Sequence, residues 1–383
     1  MRSNYKRIGQ YVCQVNNRND DFAIVNLKGI SINKQFMPSV ANINGTDLSN
    51  YKVVSKYQFA YNPMHVGRDE VLPIGMLESD EPVIVSPAYV VFEITDPEAL
   101  LPEYLMMWCR RPEFDRNCWF TTDSSVRGGF NWDDFCDMTL PVPHPEKQRE
   151  IVREYNTIVE RIKLNEQLIQ KLEETAHSLY RHLFGEKKET KTLQELCALI
   201  TDGKHGDCNN KENSGYYFLS VKDINEGDVI YENARQIVKS DFEETHRRTR
   251  FSAGDILLSN SGTIGRMAIL KQVPETSRST CQKSVAILKP LENVTSSCFL
   301  YCLLKDNISK IIEMAGGTSQ SNLLLGDLKR FEVSYPGYQA VKSFEDLVLP
   351  LFRLLHSCQQ QNKILIILRH IVLARISIQF SGL

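Results

Sequence analysis

The 383-residue chain is predicted to be an α+β protein in which two similar α/β globules are each followed by a long helix, the two helices pairing antiparallel as a coiled coil. Three observations predict this. A helical pattern of forty residues lies midway along the chain, a less regular copy follows near its C-terminal end, and the stretches between them repeat one another at a nearly constant offset.

The first helix is read over Pro145 to Phe184. Ile151, Tyr155, Ile158, Ile162, Asn165, Ile169, Leu172, Ala176, Leu179 and Leu183 recur at steps of four and three, the spacing of a narrow coiled-coil seam. Pro145 suits a first helical position, Glu146 and Glu150 suit the positive end of the helix dipole, and His182 and Gly185 mark the other end. Such a helix is a rod of roughly 60 Å, and its seam requires a partner. Taken alone, it would suit a dimerisation coiled coil.

The flanking sequence supplies that partner from within the chain. Short β-branched and aromatic runs at Phe22–Leu27, Val53–Tyr61 and Pro82–Ile94 precede a helical patch at Pro97–Cys109. After residue 190 the same texture returns, with strand-like runs at Tyr216–Val221, Asp255–Ser259 and Lys283–Leu288 and a helical patch at Thr295–Leu304. At offsets of 193 to 198, Leu27-Lys28-Gly29-Ile30 falls on Val221-Lys222-Asp223-Ile224, His65-Val66-Gly67-Arg68 on Thr263-Ile264-Gly265-Arg266, and Pro143 on Pro336. The offset of 193 also lays Ile151 on Phe344, Ile158 on Leu351, Ile162 on Leu355 and Leu172 on Leu365. The second helix is therefore read after residue 338, with Leu351, Leu354, Leu365, Leu368 and Val372 on its seam and a kink or late start at Pro350. The boundaries that follow are a first globule at 1–144, a helix at 145–185, a second globule at 186–337 and a helix at 338–383. Two repeats on an antiparallel helix pair would be related by an approximate two-fold axis, which suits a duplex ligand.

Composition bounds the function. Apolar content of 42% and charged content of 24% are those of a soluble globular protein, and a net charge of −2 gives no hint of nucleic acid. Ten cysteines form no CxxC pair and have no His or Asp at ligand spacing, so no metal site is expected and the thiols read as reduced in a cytoplasmic protein. Ile364–Ile378 is short and interrupted by Arg369, His370 and Arg375, so no membrane span is expected. GxxxxGK[ST], GxGxxG after a strand, GxSxG and HExxH are absent. Asn62-Pro63-Met64 lacks the second proline and the aromatic ring of the amino-methyltransferase motif.

What the chain does carry is a set of glycine-containing, donor-rich stretches: 62–68 and 121–129 in the first repeat, and 201–206, 259–266 and 316–322 in the second. Glycine allows close backbone approach to a ligand, hydroxyls and amides suit phosphate oxygens, and Arg, Lys, Asn and Gln suit base edges. By composition these stretches suit DNA reading and ordinary solvated turns equally.

The order of these motifs adds a resemblance. Gly254-Asp255-Ile256-Leu257-Leu258-Ser259 through Gly265-Arg266, with Asp202-Gly203-Lys204-His205 before and Gly317-Thr318-Ser319-Gln320-Ser321-Asn322-Leu323 after, resembles the target-recognition domain of type I restriction-modification specificity subunits. Leu27-Lys28-Gly29-Ile30-Ser31, Phe59-Ala60-Tyr61, Val66-Gly67-Arg68, Arg127-Gly128-Gly129 and Leu140-Pro141-Val142-Pro143 resemble a second such domain. The resemblance spans essentially the whole chain, although Tyr335-Pro336-Gly337-Tyr338-Gln339 departs from the Pro-x-Pro of the first junction.

It implies a non-catalytic subunit whose two domains each read one half of a bipartite DNA target, while the helices set the gap and dock two modification subunits. S-adenosylmethionine, ATP and magnesium would then belong to modification and restriction subunits, and this chain would bind no cofactor. The DNA-reading residues implied are His65, Arg68, Ser124 and Arg127 in the first domain, with Lys204, His205, Asn260, Ser261, Thr263, Arg266 and Gln320 in the second. The alternatives are a self-contained methyltransferase or nuclease with an atypical site, and a coiled-coil scaffold that binds only protein.

Overall fold

In the computed structural model, which describes residues 5–39, 45–64, 66–122, 129–185, 189–225, 227–316 and 321–378, each repeat folds around a four-stranded antiparallel sheet. The first sheet contains β1 (Val12–Gln14), β2 (Phe59–Tyr61), β3 (Ile74–Met76) and β4 (Val90–Ile94), in the order β1-β4-β2-β3. Its buried face holds Phe59 stacked on Phe92 at 4.8 Å, with Tyr61 and Phe135 beside them. Helices α1 (Pro102–Cys109) and α2 (Pro112–Thr121) follow, each begun by a proline whose missing N–H costs nothing there. A strand at Thr139–Pro141 pairs back onto Tyr5–Arg7 and delivers the chain into α3 (Pro145–Phe184).

The second sheet repeats the first strand for strand. It contains β5 (Cys197–Asp202), β6 (Ile256–Ser259), β7 (Met267–Ile269) and β8 (Val285–Pro290), in the order β5-β8-β6-β7. Ile256 faces Leu288 and Ile269, as Phe59 faces Phe92 and Met76. Helices α4 (Ser297–Asp306) and α5 (Ile308–Glu313) follow, then a strand at Glu332–Tyr335 that pairs with Glu189–Thr192 and leads into α6 (Tyr338–Ile378).

Several boundaries differ from the sequence reading. Phe22–Leu27 holds no strand; the strand is Lys28–Ile30. The runs at 53–61 and 82–94 each contain two short strands divided by a turn, and the first helical patch begins at Pro102. The ten cysteines are free thiols.

The long helices are divided between two compact units, residues 1–163 with 362–383 and residues 164–361. In the first unit, Ile151 and Tyr155 of early α3 share a core with Val372, Leu373 and Ile376 of late α6. In the second, Ala176 and Tyr180 of late α3 share a core with Val341, Phe344, Val348 and Phe352 of early α6. Within each unit the helices therefore run antiparallel.

Of the seam positions read from spacing, Ile151, Ile162, Leu172 and Val372 are buried, Ile158, Leu179 and Leu351 pack at the core margins, and Ile169 and Leu365 are half-buried. Leu354 and Leu368 depart from the reading: they are 46% and 43% exposed, while Leu355 and Leu373 are buried. Two rings set that phase. Phe344 packs edge-on against Tyr180 at 5.9 Å and Phe352 against Tyr301 at 5.9 Å, which turns the inward face of α6 away from Leu354. Helix α6 also begins at Tyr338 and runs through Pro350, so the late start does not occur. One polar layer interrupts the seam of the second unit, where Asn165, 2% exposed, lies 3.4 Å from Gln361.

The second globule is tied to α6 by charge as well as by packing. Lys271 Nζ lies 2.6 Å from Asp228 Oδ1 and donates to Gln359 Oε1 at 2.7 Å. Burial, reinforced by the Lys271 ammonium and opposed by Asp228, pushes the His356 imidazole down to about 4. As pH falls below the ordinary imidazole value of about 6.5, the unfolded chain gains a proton that the folded one refuses, so stability is lost between about pH 6.5 and 4. Allowing for the partial exposure of the ring, the expected loss is about 2 kcal/mol. Thermal unfolding of the wild type and His356→Gln across that range checks this: the variant should show the shallower fall, and equal slopes would refute it.

Candidate nucleic-acid interface

All the donor-rich stretches of the second repeat with described residues meet at one end of its sheet. Residues 203–206 leave β5, 260–266 join β6 to β7, 282–284 enter β8, and 321–323 cross beside them. Backbone hydrogen bonds link them in series. Lys204 N donates to Cys281 O at 2.8 Å and Lys283 N to Lys204 O at 3.1 Å. Asn260 N donates to Ser284 O at 3.0 Å, and Leu323 N to Asn260 O at 2.8 Å. Ser261 and Asn322 form a further bridge.

The turn between β6 and β7 is closed from inside. Ser259 Oγ donates to Thr263 O at 2.6 Å and accepts from Arg266 N at 2.8 Å. Gly265, at φ 97°, lies so close to α5 that an added Cβ would come within 2.9 Å of Ile312 Cδ1. The positive φ would strain any residue with a side chain there, and the end of Ile312 would have to give way.

Charge gathers around Asp202 at the end of β5. His205 Nε2 lies 2.9 Å from Asp202 Oδ2 with its ring largely exposed, and Arg248 Nη1 lies 3.4 Å from Asp202 Oδ1 while its Nη2 donates to Gly203 O. Lys204 Nζ is 2.9 Å from Glu244 Oε2, a hydrogen bond that raises its pKa and keeps it charged. Arg266 turns its guanidinium toward the carbonyls of Val221 and Ile224, at 3.4 and 3.5 Å. Thr263 and His205 are exposed, and Ser261 is half-buried. Asn260 sits under the loop, 7% exposed, and its Oδ1 has no hydrogen-bond partner among the described residues. The structure thus brings Lys204, His205, Asn260, Ser261, Thr263 and Arg266 together.

The first repeat has the same frame. Asn62 N donates to Pro73 O at 3.1 Å, as Ser259 N does to Arg266 O at 2.8 Å, and Phe130 N donates to Pro63 O at 2.9 Å, matching Leu323 and Asn260. By this register the counterpart of Arg266 is Pro73, not Arg68. The first loop is longer and folds part of itself into the helix Val66–Asp69, so the likeness of Val66-Gly67-Arg68 to Ile264-Gly265-Arg266 does not reflect equivalent places. His65, Ser124, Arg127 and Gln320 lie outside the described residues, as does the side chain of Arg68.

Residues 185–373 match the model of the type I restriction modification DNA specificity domain. That stretch, about half of the chain, is similar to the type I specificity domain. The chain is similar to the specificity subunit of the EcoBI type I restriction enzyme of Escherichia coli, at 26% identity over 149 residues. That match covers 38% of this chain and 31% of that protein, so the chain spans about a third of the curated relative it matches. Its fold is similar to the crystal structure of a type I restriction-modification S subunit from M. genitalium, with a TM-score of 0.58 and 14% identity over 97% of this chain and 95% of that one.

Two members of the specificity domain's polar edge were missed in sequence. Arg248 comes from the helix Lys239–Thr249, more than forty residues from Gly203, whose carbonyl it binds. Lys283 lies exposed in the turn that bonds Lys204. Neither belongs to a glycine-rich stretch, the signal on which the sequence reading relied. Among the described residues, no group of three or more His, Cys, Asp and Glu is placed to hold a metal ion, and no helix is long and apolar enough to cross a membrane.

Proposed function

We propose that this chain is the DNA-reading subunit of a type I restriction-modification complex and performs no chemistry itself. The observation that carries the reading is the duplicated edge: the same end of the same sheet gathers backbone turns in both repeats, and in the second repeat those turns carry hydroxyl, amide and cationic side chains. Such groups position a duplex through its phosphates and read base edges in its grooves. Each edge would read one half of a bipartite target, and α3 and α6 would set the gap. In the second domain the exposed donors are His205, Thr263, Arg266, Arg248 and Lys283, with Lys204 and Asn260 supporting them from beneath.

Docking of two modification subunits, and of restriction subunits on them, belongs to the same reading. Ile364, Ile367, Leu368 and Ile371 of α6 are exposed at the spacing of one helical face, which suits a partner helix. S-adenosylmethionine, ATP and magnesium would enter with those partners, and the assembly would work in the cytoplasm.

Co-expression with the modification partner tests the reading. The complex is expected to methylate adenine at a two-part sequence, with no methyl transfer by the purified chain alone; transfer by the chain alone would overturn the proposal. Adding one or two helical turns between residues 160 and 175 should lengthen the gap and leave both half-sites unchanged. Altered half-site bases would show that the helices do not act as a spacer.

A further inference from the structure

Outside the donor-rich stretches, the first unit exposes two adjacent aromatic rings that its own fold does not use. Helix α2 turns Phe114 and Cys118 into the core, and its last turn points Trp119 and Phe120 outward, 39% and 77% exposed. Their ring centroids are 5.2 Å apart at 57°. The helix end that carries them is pinned: Thr122 N donates to Cys118 O at 3.2 Å, and Thr122 Oγ1 donates to Trp119 O at 2.7 Å. The pair therefore stands on a rigid support. Two large rings exposed side by side make a contiguous apolar patch, the kind of surface that marks a contact site.

The position of α2 says what that surface meets. Asp115 Oδ1 accepts the backbone N–H of Leu72 at 3.1 Å, which bonds α2 directly to the long loop between β2 and β3. Residue 121, where the second donor-rich stretch of this repeat begins, follows Phe120 immediately.

We infer that Trp119 and Phe120 form a wedge that enters duplex DNA at the first half-site, Phe120 separating one base step while Trp119 supports it. This rests on the DNA-reading function proposed above and adds a contact that donors and cations do not supply. Apolar side chains inserted between base pairs unstack them and bend the duplex, and aromatic rings stack on the bases they expose. A wedge of this kind favours flexible pyrimidine–purine steps, so it contributes to sequence choice through deformability and not only through hydrogen bonds.

The test uses the full chain assembled with its modification subunit and a duplex bearing the sequence that this complex methylates. At fixed salt, Phe120→Ala should weaken binding by roughly five- to a hundredfold, and Phe120→Trp should retain most of the affinity. Trp119 emission should be quenched by the duplex, with the quench absent in Trp119→Phe, and energy transfer between dyes at the duplex ends should report a bend that Phe120→Ala reduces. Unchanged affinity and bend in Phe120→Ala overturn the inference. So does a Phe120→Ala complex that assembles poorly yet binds DNA normally once assembled, since the rings would then be a protein interface. Failure of the wild-type complex to bind duplex in a salt-dependent manner would instead reject the DNA-reading function itself.

Discussion

Gln148→Ala is expected to destabilise the first unit by about 3–5 kcal/mol. Gln148 is fully buried in the first turn of α3. Its Oε1 accepts from Leu101 N at 2.9 Å, and its Nε2 donates to Ala99 O and Pro143 O, each at 2.8 Å. One side chain thus satisfies three backbone groups where the start of α1, the inter-element loop and the entrance to the long helix converge. Each buried group left without a partner costs roughly 1–3 kcal/mol. The three tryptophans, Trp108, Trp119 and Trp132, all belong to the first unit, so urea unfolding followed by tryptophan emission isolates its stability. A shift under 1 kcal/mol would mean that water replaces the three bonds. The corresponding position in the second repeat is Val341, also fully buried but apolar, so the two globules are fastened to their helices by different chemistry.

Gly203→Ala should cost about 3 kcal/mol or more and should act on the other unit. A Cβ at this position would come within 2.5 Å of the Gln282 carbonyl oxygen and closer still to that of Cys281. Both obstacles are backbone, so no rotamer change relieves them. The end of β5 must move off the Cys281–Gln282 backbone, breaking the Lys204–Cys281 hydrogen bond and displacing the carbonyl that Arg248 binds. In a complex that still assembles, the expected result is a methylation pattern in which one half of the target loses its sequence preference while the other half and the gap persist. Retention of both half-sites and of the thermal midpoint would show that the edge of the second domain tolerates the distortion.

The features legible in sequence were those written locally. Proline at 145, glycine at 185 and a seam at steps of three and four were enough to place both ends of α3, and the recurrence at offsets of 193 to 198 was enough to anticipate two similar globules. Features that depend on tertiary partners were not legible. The inward face of α6 is chosen by Phe344 and Phe352 meeting Tyr180 and Tyr301, and spacing alone placed Leu354 and Leu368 on it instead. The donor-rich loops were found by composition, but composition could not reveal that Asn260 is buried, that Lys204 is held by Glu244, or that Arg248 arrives from a distant helix. Motif similarity also misaligned Arg68 with Arg266, because an inserted helical turn in the first loop leaves no mark in a four-residue match.

Sharing the long helices between units has a consequence for synthesis. The first globule includes residues 145–163, but its helix partner lies in 362–378, about 200 residues further along the chain. At translation rates of about 5–20 residues per second, Ile151 and Tyr155 wait roughly 10–40 s for Val372, Leu373 and Ile376 to emerge. The second unit, whose segments are contiguous from 164 to 361, closes without that delay. The domain begun first on the ribosome is therefore the one completed last, and until then its apolar seam stays uncovered.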